Sequence, residues 1–224
     1  MRIDIKGVIV SNDEKWIYDF FDVESVCPKD INDKLLEANG GAVEVHINSE
    51  GGSVFDGSEI YSALRSYGGS VKICIDGLAA SAASVIACAA KSEIAPTAMF
   101  MVHNVSACAK GDWRDMSKES EVLKKANEAI ATAYVYKSGM SMEEALDMMN
   151  SETWLTAADA VERGLCDRIS DEGGMRLTAA FGENVIPRRV IDKMKAEKAR
   201  EKAEYKNSVI KKFNKIKNGG VNNA

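Results

Sequence analysis

The sequence predicts an α/β domain built on a mainly parallel sheet, followed by a basic tail. Segments with strand alternation recur along the body, and "AVEVHINS", with Val43, Val45 and Ile47 in phase, is the clearest of them. Between these segments lie stretches with helix start and stop signals, so the order reads strand, helix, strand. Strands joined through helices run parallel by right-handed crossovers. The charge divides the same way. The whole chain carries −5, but from Arg176 onward there are 13 Lys/Arg against 5 Asp/Glu, a net +8 that leaves −13 for the part before it.

The elements follow in order. "RIDIKGVIV" alternates and then runs apolar, as a first strand does. "CPKDINDKLLEA" has Pro28 near its start and Asn39, Gly40 and Gly41 after its end, the punctuation of a helix. After the "AVEVHINS" strand, "EGGS" reads as a turn and "VFDGSEIYSALRSYGG" as a helix stopped by Gly68 and Gly69. "SVKICID" is the next strand, "DGLAA" a turn, and "SAASVIACAA" a buried helix of small residues. "APTAMFMVHN" is a third strand, introduced by Pro96. A long helix is expected from about Asp112 to Lys137. Ser141 and Glu144 form a capping box for "MEEALDMMN", "TAADAVERG" is a short helix closed by Gly164, and "LCDRIS" is a last strand. These boundaries give a body over 1–175 and a tail over 176–224. In the tail, Ile191, Met194, Ala199 and Ala203 form a thin apolar stripe, and Val209, Phe213 and Ile216 a fuller one at helical spacing.

Composition narrows the function classes. With 224 residues, 46% apolar and 28% charged, the chain reads as a soluble globular protein, either one sizeable domain with an appendage or two small domains. Its five cysteines, Cys27, Cys74, Cys88, Cys108 and Cys166, form no C-x-x-C pair and no metal spacing, which suits a reducing compartment. The first residues contain no apolar run long enough for a signal-peptide core and no small-residue cleavage site, and the longest apolar stretch falls short of the ~20 residues that cross a bilayer. A cytoplasmic location is expected. No phosphate-loop motif follows the glycines at 51 and 52, and the tail lacks the interleaved aromatics of base-specific nucleic-acid readout.

The chemistry centres on "DGLAASAASVIACAA", Asp76 to Ala90. Small residues there let a helix approach its neighbours, which by itself accounts for the composition. Ser81, however, falls where strand gives way to helix, beside free backbone N–H groups that favour developing negative charge. Ser84 lies one turn later on the same side and deeper, and reads as structural. A serine hydroxyl needs a base at neutral pH, and only two histidines exist. His46 lies in a strand, out of phase with its valines, and reads as structural. His103 lies at the end of "AMFMV", where parallel sheets build their sites. Spacing does not single out a carboxylate to orient the imidazole.

"INSEGGS", "DGLAASAAS", "MFMVHN" and "ETWLTAADAVERGLCDRI", in that order, resemble the ClpP family of serine peptidases over roughly residues 1–175. Within it, the phage-encoded ClpP-related prohead (head maturation) proteases are most similar. The resemblance implies a ClpP/crotonase-like α/β fold of repeated ββα units, with the long helix projecting as a handle. It implies Ser81 as nucleophile, His103 as general base, and Glu152 as the acid, where aspartate is commoner. Asp147 and Asp167 are the alternative acids. The implied oxyanion donors are the backbone N–H groups of Gly51 and Ala82, with Glu50 standing where the family often has proline. No metal or organic cofactor is implied. Polypeptide substrates are, among them phage scaffold and capsid proteins, together with ring-forming homo-oligomers in the host cytoplasm or the assembling prohead. Three other readings stay open: an ATPase-dependent proteolytic subunit, a catalytically inactive scaffold of the same fold, and an acyl-CoA enzyme of the crotonase type.

Overall fold

The computed structural model describes residues 1–170 and, beyond them, 197, 200, 201, 203–205, 207, 208 and 211. The chain divides into two compact units, Met1–Gly173 and Gly174–Ala224. In the second unit the described residues are helical and exposed, Ala203 among them. The other apolar positions expected in the tail stripes, such as Ile191 and Phe213, lie outside the described residues.

In the first unit the order is β1 (Arg2–Ile9), α1 (Lys15–Phe20), β2 (Ser25–Val26), α2 (Pro28–Ala38), β3 (Val43–Gly52), α3 (Val54–Ser66) and β4 (Val71–Ala80). There follow α4 (Ala82–Ala87), β5 (Lys91–Ile94), β6 (Met99–Val102), α5 (Trp113–Ser138), α6 (Met142–Asn150), β7 (Thr153–Thr156), α7 (Ala157–Glu162) and β8 (Arg168–Ile169). The sheet order is β2-β1-β3-β4-β5-β8, with β6 paired to β4 and β7 to β6. Among the described residues every pairing is parallel except β6 with β7. This is the α/β architecture the sequence predicts.

The alternation of β1 and β3 sends one face into the core and leaves the other polar. Ile3, Ile5, Val45, Ile47, Ile73 and Ile75 meet Ile31 and Leu35 of α2 and Ile60 and Leu64 of α3 in one cluster. On the opposite face Arg2 pairs with Asp4, His46 with Asp76, and Lys72 and Arg168 with Glu93. Among the described residues the sheet is therefore not covered by helices on both faces, as parallel sheets usually are.

Two stretches expected to be turns are strand. "EGG" continues β3, and Gly51 and Gly52 pair with Val8 and Ile9. A Cβ at Gly52 would lie 2.2 Å from the Ile9 carbonyl oxygen, so only glycine allows the strands this close. "DGLAA" likewise stays in β4. The register against β3 shifts between Ile47 and Ser49, so Asp76-Gly77 takes up an irregularity inside the strand rather than reversing the chain. Past that point β4 changes partner, from β5 at Lys72–Ile75 to β6 at Leu78–Ala80.

The helix expected to run to Ala90 ends at Ala87, and "KSEI" after it forms β5. The short α1 and β2 fill a stretch to which the sequence reading assigned no element. The long helix is close to its expected bounds. Asp112 accepts from the Arg114 and Asp115 N–H groups at its start, and Gly139 closes it in a left-handed conformation. Its buried residues, Ile130, Ala131, Ala133 and Tyr134, all lie toward the C-terminal end.

Candidate active site

The switch of β4 from one partner to another builds the site. Ala80 is the register partner of Met101 on β6, and the Ser81 N–H donates to the Met101 carbonyl at 3.1 Å. Ser81 therefore leaves β4 level with the end of β6, and α4 starts at the next residue. Its backbone sits at φ 54°, ψ −125°, a conformation that costs a non-glycine residue about 1–3 kcal/mol unless its surroundings enforce it. They do so here. The Ser81 carbonyl accepts from the Ser84 N–H at 3.0 Å, the Val85 N–H at 3.3 Å and the Ser84 hydroxyl at 2.6 Å.

His103 follows the last residue of β6, and its Nε2 lies 2.8 Å from Ser81 Oγ. Two amide contacts hold the segment after it. The Asn104 Nδ2 donates to Asn150 Oδ1 at 2.9 Å, and the Val105 N–H donates to Asn127 Oδ1 at 2.8 Å. These three asparagines escaped the sequence reading. The one visible signal was the polar residue following the histidine in "MVHN". Beside the pair, Val54, Val85, Asn104 and Ile130 line a small cleft.

Gly51 approaches from β3. A Cβ there would fall 2.8 Å from Ser81 Cβ and 2.9 Å from the Ala82 nitrogen, and its φ of +95° suits glycine. Its N–H, however, donates to Ser49 Oγ at 3.0 Å, while the buried Ser49 hydroxyl donates to the Gly7 carbonyl at 2.6 Å. Ala82 opens α4, where a backbone N–H has no acceptor within its own helix. Of the two expected oxyanion donors, one backbone lies against the serine with its N–H engaged, and the other follows the serine directly.

The candidate acids differ in their surroundings. Glu152 precedes β7, and the antiparallel pairing of Val102 with Thr153 puts its backbone opposite His103. Its φ is 45°, and its carboxylate accepts from Trp154 Nε1 at 3.3 Å. Among the described residues, Ser81 is the only hydrogen-bond partner of the His103 ring. Asp147 lies on α6 and lines a separate groove with Met140, Met148 and Arg163. Asp167 accepts from the Ser92 N–H at 2.6 Å and pairs with Lys137. Burial pushes its carboxyl up, but Lys137 and the Ser92 N–H outweigh that and hold it below the ordinary range. His46 bonds through Nδ1 to Asp76 at 2.9 Å on the polar face of the sheet.

A serine hydroxyl within hydrogen-bond reach of an imidazole nitrogen can pass its proton to that nitrogen as it attacks an electrophile. Comparison with known proteins finds a protease family. The Clp protease family matches residues 29–173. ATP-dependent Clp protease proteolytic subunits from two strains of Bacteroides fragilis are 29% identical over 133 residues, covering 58% of this chain and 64% and 60% of theirs. The subunit of that name from Porphyromonas gingivalis is 28% identical over 136 residues, covering 59% of this chain and 61% of its own. The chain thus spans about three fifths of the length of the curated relatives it matches. With the family match extending over most of the first compact unit, the chain belongs to the Clp protease family.

Proposed function

We propose that the chain is a serine endopeptidase that hydrolyses polypeptides through an acyl-enzyme. The observation that carries this reading is the 2.8 Å approach of His103 Nε2 to Ser81 Oγ at a strand-to-helix junction. His103 takes the Ser81 proton as Oγ attacks the scissile carbonyl, then gives it to the leaving amine; water releases the acyl group by the reverse sequence. The Ala82 N–H stabilises the oxyanion, a contribution of about 2.7–4 kcal/mol for such a donor. The Gly51 N–H is the second donor, shared between the oxyanion and Ser49 Oγ. Glu152 steadies the imidazolium once its carboxylate turns from Trp154 toward Nδ1.

The finer reading is a head-maturation protease of phage type, cleaving scaffold and capsid proteins as a homo-oligomeric ring in the host cytoplasm or the assembling prohead. The body ends by about residue 175, and the +8 charge from Arg176 onward supports a tail that addresses the enzyme to the particle or is trimmed there. A second reading, a proteolytic subunit working with an ATPase, is favoured by the names of the relatives.

Labelling with a fluorophosphonate and peptide mapping test the chemistry. The expected outcome is one adduct at Ser81, none in Ser81→Ala, and strongly slowed labelling in His103→Ala. Assembly without any labelling would identify an inactive scaffold, and full hydrolysis by Ser81→Ala would reject the nucleophile. Faster degradation of an unfolded substrate on adding an ATPase ring would favour the second reading.

A further inference from the structure

The peptidase reading gives no part in catalysis to two buried hydroxyls, one of which also helps hold the Ser81 backbone. Ser84 Oγ lies 2.6 Å from the Ser81 carbonyl oxygen and 2.8 Å from the Tyr134 hydroxyl. A carbonyl can only accept, so the single Ser84 hydrogen goes to Ser81, and Tyr134 must donate to Ser84. The chain of donation therefore has one direction: Tyr134 O–H to Ser84 Oγ, then Ser84 O–H to the Ser81 carbonyl. That carbonyl belongs to the peptide whose N–H is Ala82, the donor assigned to the oxyanion.

A serine that bonds back to a carbonyl three residues earlier is common in helices and needs no further partner. Tyr134 is the informative residue. It is 2% exposed and Ser84 is 0% exposed, so phenylalanine would fill the space without the cost of burying a hydroxyl. Burial also pushes the Tyr134 phenol well above its ordinary range, so it remains a donor across the working pH range. Hydrogen bonds aligned head to tail polarise one another. Charge drawn onto the Ser81 oxygen makes the Ala82 N–H more positive, and the fixed peptide plane keeps it aimed.

We propose that Ser84 and Tyr134 are positioning residues for the transition state, forming a relay from α5 through the Ser81–Ala82 peptide to the oxyanion donor. The inference rests on the peptidase reading. It also gives α5 a part in catalysis from the far side of the nucleophile.

The test is peptide hydrolysis by the full chain and by Ser84→Ala, Tyr134→Phe and the double variant, with rates expressed per fluorophosphonate-titrated site. Misfolded protein is then not counted. Ser84→Ala is expected to lower kcat about tenfold and Tyr134→Phe about threefold, with KM unchanged, because the relay matters only once the oxyanion forms. The double variant is expected to match Ser84→Ala, since the tyrosine acts through the serine. A tie that only holds α5 in place would lower Tm and leave kcat per site within twofold in both single variants, which overturns the proposal. So do losses that multiply in the double variant. A wild-type chain that neither labels nor cleaves removes the peptidase reading itself, and the relay with it, before any substitution is made.

Discussion

Ser81 and His103 meet because Ala80, the residue before the serine, and Met101, two residues before the histidine, are register partners on adjacent strands. Twenty-two positions apart in sequence, the two side chains are brought within 2.8 Å by the second half of β4 and the short β6. The pairing also fixes the neighbours: Gly51 approaches from β3, and the backbone of Glu152, just before β7, lies across from His103.

Gly51→Ala should damage both site and fold. The added methyl meets Ser81 Cβ, the Ala82 nitrogen and the Ala80 carbonyl, all within 3 Å, at a φ of +95°. Urea titration should show a loss of at least about 2 kcal/mol. Probe labelling of the folded fraction should slow by more than tenfold.

Ser49→Ala separates stability from chemistry. It leaves the Gly7 carbonyl and the Gly51 N–H without the hydroxyl that now bonds to both. Stability should fall by about 1–3 kcal/mol. The Gly51 N–H is at the same time released for an oxyanion, so kcat per labelled site should not drop. A tenfold drop would show that the Ser49 bond organises the donor rather than competing for it.

Glu152→Gln should lower kcat by about 10²–10⁴ if the carboxylate steadies the imidazolium. Trp154→Phe removes the indole N–H that now holds that carboxylate, and should leave kcat at or above the wild-type value. An unchanged rate in Glu152→Gln, with a large loss in Asp147→Asn, would move the role to α6.

Asp167 makes stability depend on pH. Its folded carboxyl lies below the ordinary value of 3.8, with Lys137 and the Ser92 N–H favouring the charged form. A lowered carboxyl contributes stability that is present above the unfolded value and is lost as pH falls through the folded one. Asp167→Asn should therefore be less stable than wild type above about pH 5, with the gap closing as pH drops below 3.8. Urea melts across that range measure it. A gap of constant size would mean that the charge of Asp167 plays no part.

Much of the fold was legible because its signals are local. Pro28 with Asn39, Asp112 with Gly139, and Ser141 with Glu144 mark helix ends through capping groups a few residues away. The alternation of Val43, Val45 and Ile47 marks the buried face of a strand in the same way. The glycine pairs misled for an equally physical reason. Asp76-Gly77 and Gly51-Gly52 carry the composition of a turn, yet here glycine lets strands approach or shift register. The difference lies in a neighbouring strand that local sequence does not contain.

The site divides along the same line. The sequence by itself determined which residues could carry the chemistry: a serine among small residues at a strand-to-helix boundary, one of only two histidines at a strand end, and glycines that allow close approach. Tertiary structure alone decided which of them meet and what each hydrogen bond is committed to. It set Ser81 against His103, tied the Gly51 N–H to Ser49, turned Glu152 toward Trp154, and placed Tyr134 beneath Ser84. Strand register and side-chain partners are set by residues far apart in the chain, and distance along a sequence carries no record of distance across a sheet.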